Sequence, residues 1–172
     1  MWREMLWRLV RPICTIVALA RCGNLWNIRD VIHAAPGAHP ILERVYRSHL
    51  AQKGSWIGPL ARIDGRPTFP HDMFGVFISE HAVIGKNCVI FQQVTIGSET
   101  QPDSMFKGSP VIGDNVYIGA GAKIIGGIRI GNNCRIGANA TVTRNLPDNT
   151  LAVCAPLRRL RLKSQNNNEA SE

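Results

Sequence analysis

The sequence predicts a mainly β protein, a triangular prism of short parallel strands preceded by a short α-helical segment, and three observations carry that prediction. Isoleucine returns on every sixth residue, at 78, 84, 90 and 96 and again at 112, 118, 124, 130 and 136. A small or medium apolar residue follows four places after most of these beats, as at Ala82, Cys88, Val94, Val116, Ala122, Ile128, Cys134 and Ala140. Hydrophobic residues make up 45% of the chain but aromatic ones only 6%, with 16 glycines, which suits a core of aliphatic stacks and tight turns. A period of six is neither the 3.6 of a helix nor the alternation of a simple strand.

The elements follow in order. At 172 residues the chain makes one domain with a small appendage. Residues 1–55 read as an N-terminal helical segment. Over residues 2–22, Trp2, Leu6, Leu9, Ile13 and Val17 fall on one side of a helix and Glu4, Arg8 and Arg11 on the other. This apolar face is expected to pack on a neighbouring helix or subunit rather than to lie on a membrane surface. Arg8 and Arg11 precede an apolar run, as in a secretory signal, but that run is short and opens just after Pro12, which argues against one. No stretch approaches the roughly 20 apolar residues that span a bilayer. A second helix is expected from Asn27 to Ala35, stopped by Pro36-Gly37. A third runs from Pro40 to Lys53, with Ile41, Leu42, Val45, Tyr46 and Leu50 on one face and Gly54 at its end.

Residues 56–154 carry the beat. Counted in sixes it begins at Ile57, Ile63 and Phe69, resumes at Ile78, and after a second gap runs from Ile112 to Val142. Thirteen such units are a strong repeat signal. Three short strands make one coil of a prism, so one residue in six points inward at the equivalent place on each face. Each coil's backbone pairs with the coils above and below, and no unit is stable alone. Corner segments such as Gly131-Asn132-Asn133 supply the turns, with dihedrals that glycine and asparagine tolerate. Residues 155–172 form a tail, first basic and then polar.

Two gaps break the beat and must loop out of the prism, near residues 72–75 and 98–109. The first lies beside His71; the second is long enough to cover a cleft. The segments His71-Asp-Met-Phe-Gly-Val-Phe-Ile, Ile90-Phe-Gln-Gln-Val-Thr-Ile-Gly, Pro110-Val-Ile-Gly-Asp-Asn-Val-Tyr-Ile-Gly-Ala-Gly-Ala-Lys-Ile-Ile-Gly and Ile136-Gly-Ala-Asn-Ala-Thr-Val resemble the hexapeptide-repeat acetyltransferases, in the branch containing serine acetyltransferases. The likeness covers about residues 57–157. It implies a left-handed prism, although the usual crossover preference is right-handed. It also implies acetyl-CoA as acetyl donor without a metal, a homotrimer or dimer of trimers, and a cofactor groove between neighbouring prisms.

The resemblance implies that His71 is a general base. The chemistry agrees: a hydroxyl attacks a thioester slowly unless a base takes its proton, and a neutral imidazole suits that task near neutral pH. The matching positions for coenzyme A are Gly97, Ser98, Gly119, Ala120, Gly121 and Ala138, with Arg158, Arg159 and Lys163 as candidate phosphate partners. Cys88 and Cys134 sit at inward positions and read as core fillers rather than nucleophiles. His81 reads as a surface residue, and His33, His39 and His49 as surface or helix-packing residues.

Three departures from serine acetyltransferases stand out. Pro70 precedes the motif histidine where those enzymes have aspartate, Trp56 stands where an aspartate one coil earlier would orient it, and Ser109 replaces a second histidine. Asp72, Glu80 or a main-chain carbonyl then remain as partners for His71. The departures favour a sugar in surface polysaccharide synthesis as acceptor, with serine O-acetylation in cysteine biosynthesis as the alternative. A reading from another class is a non-catalytic trimeric assembly module.

The formal charge of +8 comes largely from Arg3, Arg8, Arg11, Arg21 and Arg29 and from Arg158, Arg159, Arg161 and Lys163. Charge alone, without aromatic platforms or a recognition helix, does not make a nucleic-acid binder. A zinc carbonic anhydrase built on such a prism needs three histidine ligands, and the repeat region has only His71 and His81. The five cysteines are an odd set without zinc-type spacing, which fits free thiols and a cytoplasmic location.

Overall fold

The computed structural model describes residues 6–7, 10–11, 13–14, 17–18 and 22–154. The described residues before Gly23 are helical up to Cys22. They pack through Trp7, Cys14, Ala18 and Cys22, with the guanidinium of Arg44 lying 4.4 Å over the Trp7 ring. Of the apolar face expected to pack on a neighbouring helix or subunit, the described residues are exposed in the single chain: Leu6 by 61%, Ile13 by 65% and Val17 by 46%. The reason is angular. Each of these residues lies one position, or about 100°, from Trp7, Cys14 or Ala18, and it is the latter that turn toward the core. Trp2, Glu4, Arg8 and Leu9, like Arg158, Arg159, Lys163 and the rest of the tail, lie outside the described residues.

Helix α1 spans Leu25–Ala34 and begins two residues earlier than expected, because the Asn24 side chain caps it by accepting a 3.0 Å hydrogen bond from the Asn27 amide. It buries Ile28, Arg29 and Ile32. Arg29, one of the contributors to the formal charge, is a tie between α1 and the prism. Its guanidinium donates to the Ala61 carbonyl and stands 3.6 Å from Asp30, and burial lowers its pKa from the ordinary arginine value. Helix α2 spans Pro40–Gln52 with proline in its first turn. Val45, Tyr46 and Leu50 are buried as expected, whereas Ile41, in the first turn, is 62% exposed. The Tyr46 hydroxyl donates to the Ile57 carbonyl at 2.9 Å and so joins α2 to the first coil.

The prism has three parallel faces. The first is built from β1 (Trp56–Ile57), β3 (Phe77–Ile78), β6 (Thr95–Gly97), β9 (Lys123–Ile125) and β12 (Thr141–Val142). The second stacks β2 (Arg62–Ile63), β4 (Val83–Ile84), β7 (Val111–Ile112) and β10 (Arg129–Ile130). The third stacks β5 (Val89–Ile90), β8 (Tyr117–Ile118), β11 (Arg135–Ile136) and β13 (Leu151–Ala152). Registers set isoleucine against isoleucine, so that Ile57 pairs with Ile78, Ile78 with Ile96, Ile96 with Ile124, and Ile124 with Val142. These ladders are closed to solvent, with Ile78, Ile84, Ile90, Ile96, Ile118, Ile124, Ile130 and Ile136 at 0% exposure. Ala61, Ala82, Cys88, Val94, Val116, Ala122, Ile128, Cys134 and Ala140, four places after the beat, are all buried.

The corners divide the labour between residue types. Asn87, Asn115, Asn133 and Asn149 hold φ values of 55 to 59° and join into a ladder of side-chain amide hydrogen bonds, each 3.2 Å, down one edge. The glycine before such an asparagine answers a different need. A Cβ on Gly113 would lie 2.5 Å from Asn132 Oδ1 and 3.0 Å from the next coil's backbone, so close stacking, not a left-handed φ, excludes a side chain there.

Candidate active site

The first break in the beat turns from the third face to the first and carries His71 on an exposed corner. The corner is built, not loose. Asp72 adopts a left-handed φ of 59°, its carboxylate accepts from the Met73 amide at 2.7 Å, and it pairs with Lys53 at the end of α2. The Ser55 hydroxyl donates to the Met73 carbonyl, and the Gly75 amide donates to the Lys53 carbonyl at 3.0 Å. The Lys53 bond holds the Asp72 carboxyl below the usual carboxylate range, helped by the Met73 amide.

The His71 ring is fixed on two sides. Its Nδ1 lies 3.0 Å from Gln92 Oε1, and its plane meets Phe91 at 86° with centroids 5.4 Å apart. Phe91 in turn leans on Tyr117 at 5.1 Å. None of the partners expected from the sequence bonds this ring. Asp72 is held by Lys53 and Met73, while Glu80 accepts from the Leu60 amide at 3.1 Å on another edge. Gln92 was missed by sequence reasoning. Its one signal is size: Phe91-Gln92-Gln93 fills a corner where the next coils have Gly119-Ala120-Gly121 and Gly137-Ala138-Asn139.

Gly119, Ala120, Gly121 and Ala138 continue the same edge below His71. The Gly121 amide donates to the Gln92 carbonyl at 3.0 Å, and the Asn139 amide to the Ala120 carbonyl at 2.8 Å. A column of small corner residues therefore descends from the imidazole, flanked by Lys123 on the first face and Arg135 on the third. The Lys123 ammonium donates to the Gly121 carbonyl at 3.0 Å. Gly97 and Ser98 are not on this edge. They open the second break, which lies between the first and second faces and is closed at its base by two Glu99–Gly108 backbone bonds of 2.8 and 2.9 Å. Ser98 and Ser109 share a hydrogen bond of 2.7 Å there, and Met105 at the tip is 92% exposed.

The remaining candidates fall away from the site. His81 is exposed on the edge of the second break, and His33 bonds the Pro59 carbonyl at 3.1 Å. His49, half-buried on α2, has its pKa lowered by burial and by Lys53. The thiols of Cys88 and Cys134 are buried and donate to the carbonyls of Gly113 and Pro147 at 3.4 and 3.1 Å. Burial pushes the Cys88 thiol up, opposite to what a nucleophile needs. Among the described residues no group of three or more His, Cys, Asp or Glu is placed to hold a metal.

Residues 109–144 match the family model described as bacterial transferase hexapeptide (six repeats). The chain is 40% identical over 119 residues to a serine acetyltransferase of Synechococcus elongatus, covering 68% of this chain and 47% of that protein. It is 44% identical over 103 residues to a serine acetyltransferase of Staphylococcus epidermidis, covering 60% of this chain and 47% of the relative. The chain thus spans about half the length of the curated relatives it matches. Among solved structures, serine acetyltransferase isoform 3 from Entamoeba histolytica, in complex with cysteine, superimposes with a TM-score of 0.66 at 33% identity, covering 83% of this chain and 50% of the other. Soybean serine acetyltransferase complexed with serine gives 0.65 at 34% identity, covering 78% and 55%. The parallel coils, the repeat and these neighbours together make this a left-handed parallel β-helix of hexapeptide repeats with a short helical segment before it, similar in sequence and fold to serine acetyltransferases.

Proposed function

We propose that this chain is an acetyl-CoA-dependent O-acetyltransferase with His71 as general base. The observation that carries the reading is the placement of an imidazole with one nitrogen already engaged by Gln92 at the head of a column of small residues. The free Nε2 takes the proton of the acceptor hydroxyl as its oxygen bonds to the acetyl carbonyl carbon. The carbon–sulfur bond then breaks, and the imidazolium returns the proton to the departing thiolate. No acyl-enzyme is required, since the thioester is already activated.

Acetyl-CoA fits the edge by chemistry. Ala120 and Ala138 offer backbone polar groups to the amides of a pantetheine arm with little side chain in the way, and Lys123 and Arg135 stand on the faces either side as cations for phosphate. Arg158, Arg159 and Lys163 retain their proposed phosphate role. Gly97 and Ser98, on a different edge of the same prism, join the site only from a neighbouring copy, which makes a homotrimer part of the proposal.

For the acceptor, the relatives favour serine over a sugar, and a surface polysaccharide role gains nothing from them. Serine is therefore taken first. A sugar stays as the second reading on one observation: Trp56, Pro70 and Ser109 occupy the places of groups expected around an amino-acid substrate, and Arg47 covers the Trp56 ring at 5.4 Å. The test is free-thiol release from acetyl-CoA with L-serine and with nucleotide-linked or lipid-linked sugars. Turnover with either class, lowered about 10²–10⁴-fold in His71→Ala, is expected. Turnover untouched by that substitution would sink the mechanism, and no acetyl-CoA-dependent reaction or binding would leave the assembly module.

A further inference from the structure

A base that must accept a proton through Nε2 needs its other nitrogen protonated, and something has to hold it so. A carboxylate usually does this by accepting from Nδ1–H. Here neither candidate carboxylate serves: Asp72 is held by Lys53 and the Met73 amide, and Glu80 lies on another edge, where it accepts from the Leu60 amide. At the place of an orienting aspartate stands Trp56, whose side chain can accept no hydrogen bond.

We infer that Gln92 is the positioning residue for His71, its side-chain carbonyl accepting from Nδ1–H and fixing the tautomer that leaves Nε2 free. The distance of 3.0 Å from Nδ1 to Oε1 is that of a good hydrogen bond. The glutamine stands on a rigid corner: its carbonyl accepts from the Gly121 amide at 3.0 Å, and the next residue's amide donates to the Phe74 carbonyl at 2.8 Å. The latter bond ties the coil of Gln92 to the break carrying His71, so base and partner keep their spacing. Phe91 adds a T-shaped ring contact to the imidazole in this orientation. A neutral amide fixes the tautomer without placing a second charge beside the base.

This deepens the reading of His71 as the base, so its test uses the resting protein without substrate. Long-range nitrogen–proton NMR of the neutral imidazole reports which nitrogen carries the proton. Wild type is expected to show His71 as Nδ1–H. Gln92→Leu, which cannot accept, moves it toward Nε2–H, and Gln92→Glu, which can, restores Nδ1–H. Where turnover is measured, Gln92→Leu is expected to lower kcat about 10–100-fold with KM little changed. Wild-type His71 as Nε2–H, or a tautomer indifferent to Gln92→Leu, overturns the inference whatever the enzyme assay gives. Absent turnover with the tautomer as expected would instead count against the proposed function alone.

Discussion

The setting of the His71 imidazole is defined by where its neighbours are already engaged. Lys53 and a backbone amide occupy Asp72, so the carboxylate adjacent in sequence does not reach the ring. The position of His71 was legible because its motif sits where the six-residue beat breaks. Gln92 was not, because 21 residues separate the two in the chain and one complete coil brings them together. The cysteines illustrate the opposite case. Cys88 and Cys134 fall on the inward row of the repeat, and burial follows from position alone. Replacing both by alanine is expected to leave specific activity within about twofold of wild type while lowering stability by about 1 kcal/mol per site, the scale of a small deletion from a packed core. Loss of turnover in a variant that keeps its circular dichroism would restore a nucleophilic role.

At the scale of elements, the end of α2 and the first break act as one piece, and its charges set a direction for pH. The folded pKa of His49 is lowered from 6.5, first by burial and then by Lys53. Both folded and unfolded chains hold it neutral well above that value. As pH falls below 6.5 the unfolded chain takes up the proton first, so stability declines through the window down to the folded pKa. Asp72 is lowered from 3.8, first by its hydrogen bond to Lys53; its contribution is present above 3.8 and is lost as pH falls through the folded value. Urea midpoints are therefore expected to drop in two stages on acidification, with His49→Gln removing the upper stage and Asp72→Asn the lower. A wild-type midpoint flat from pH 7.5 to 5 would contradict the first. The elements themselves were legible to different degrees. The strands followed from a ladder that repeats every coil, whereas the first helix presents apolar residues on two sides and only its neighbours decide which side is buried.

For the whole molecule, a single prism separates the parts of the proposed site. His71 and its column lie on the edge between the third and first faces, and the long break with Ser98, Ser109 and the exposed Met105 lies on the edge between the first and second. No bending of stacked coils brings two edges of one rigid triangle together. A second copy does, when three prisms pack about a threefold axis and one copy's edge faces the next copy's. Exposed apolar side chains on the outward faces fit such packing: Phe77 is 48% exposed, Tyr117 40% and Leu151 66%. Sedimentation equilibrium is expected to give a multiple of three chains of 18.9 kDa. A sharper test co-expresses His71→Ala with a variant lacking the loop residues 101–106. Each alone lacks one half of every site, while random mixing leaves about a quarter of the sites with an intact histidine from one copy and an intact loop from its neighbour. Activity near a quarter of wild type is expected from the mixture and almost none from either parent. A fully active monomer, or a mixture no better than its parents, would place the whole site on one chain.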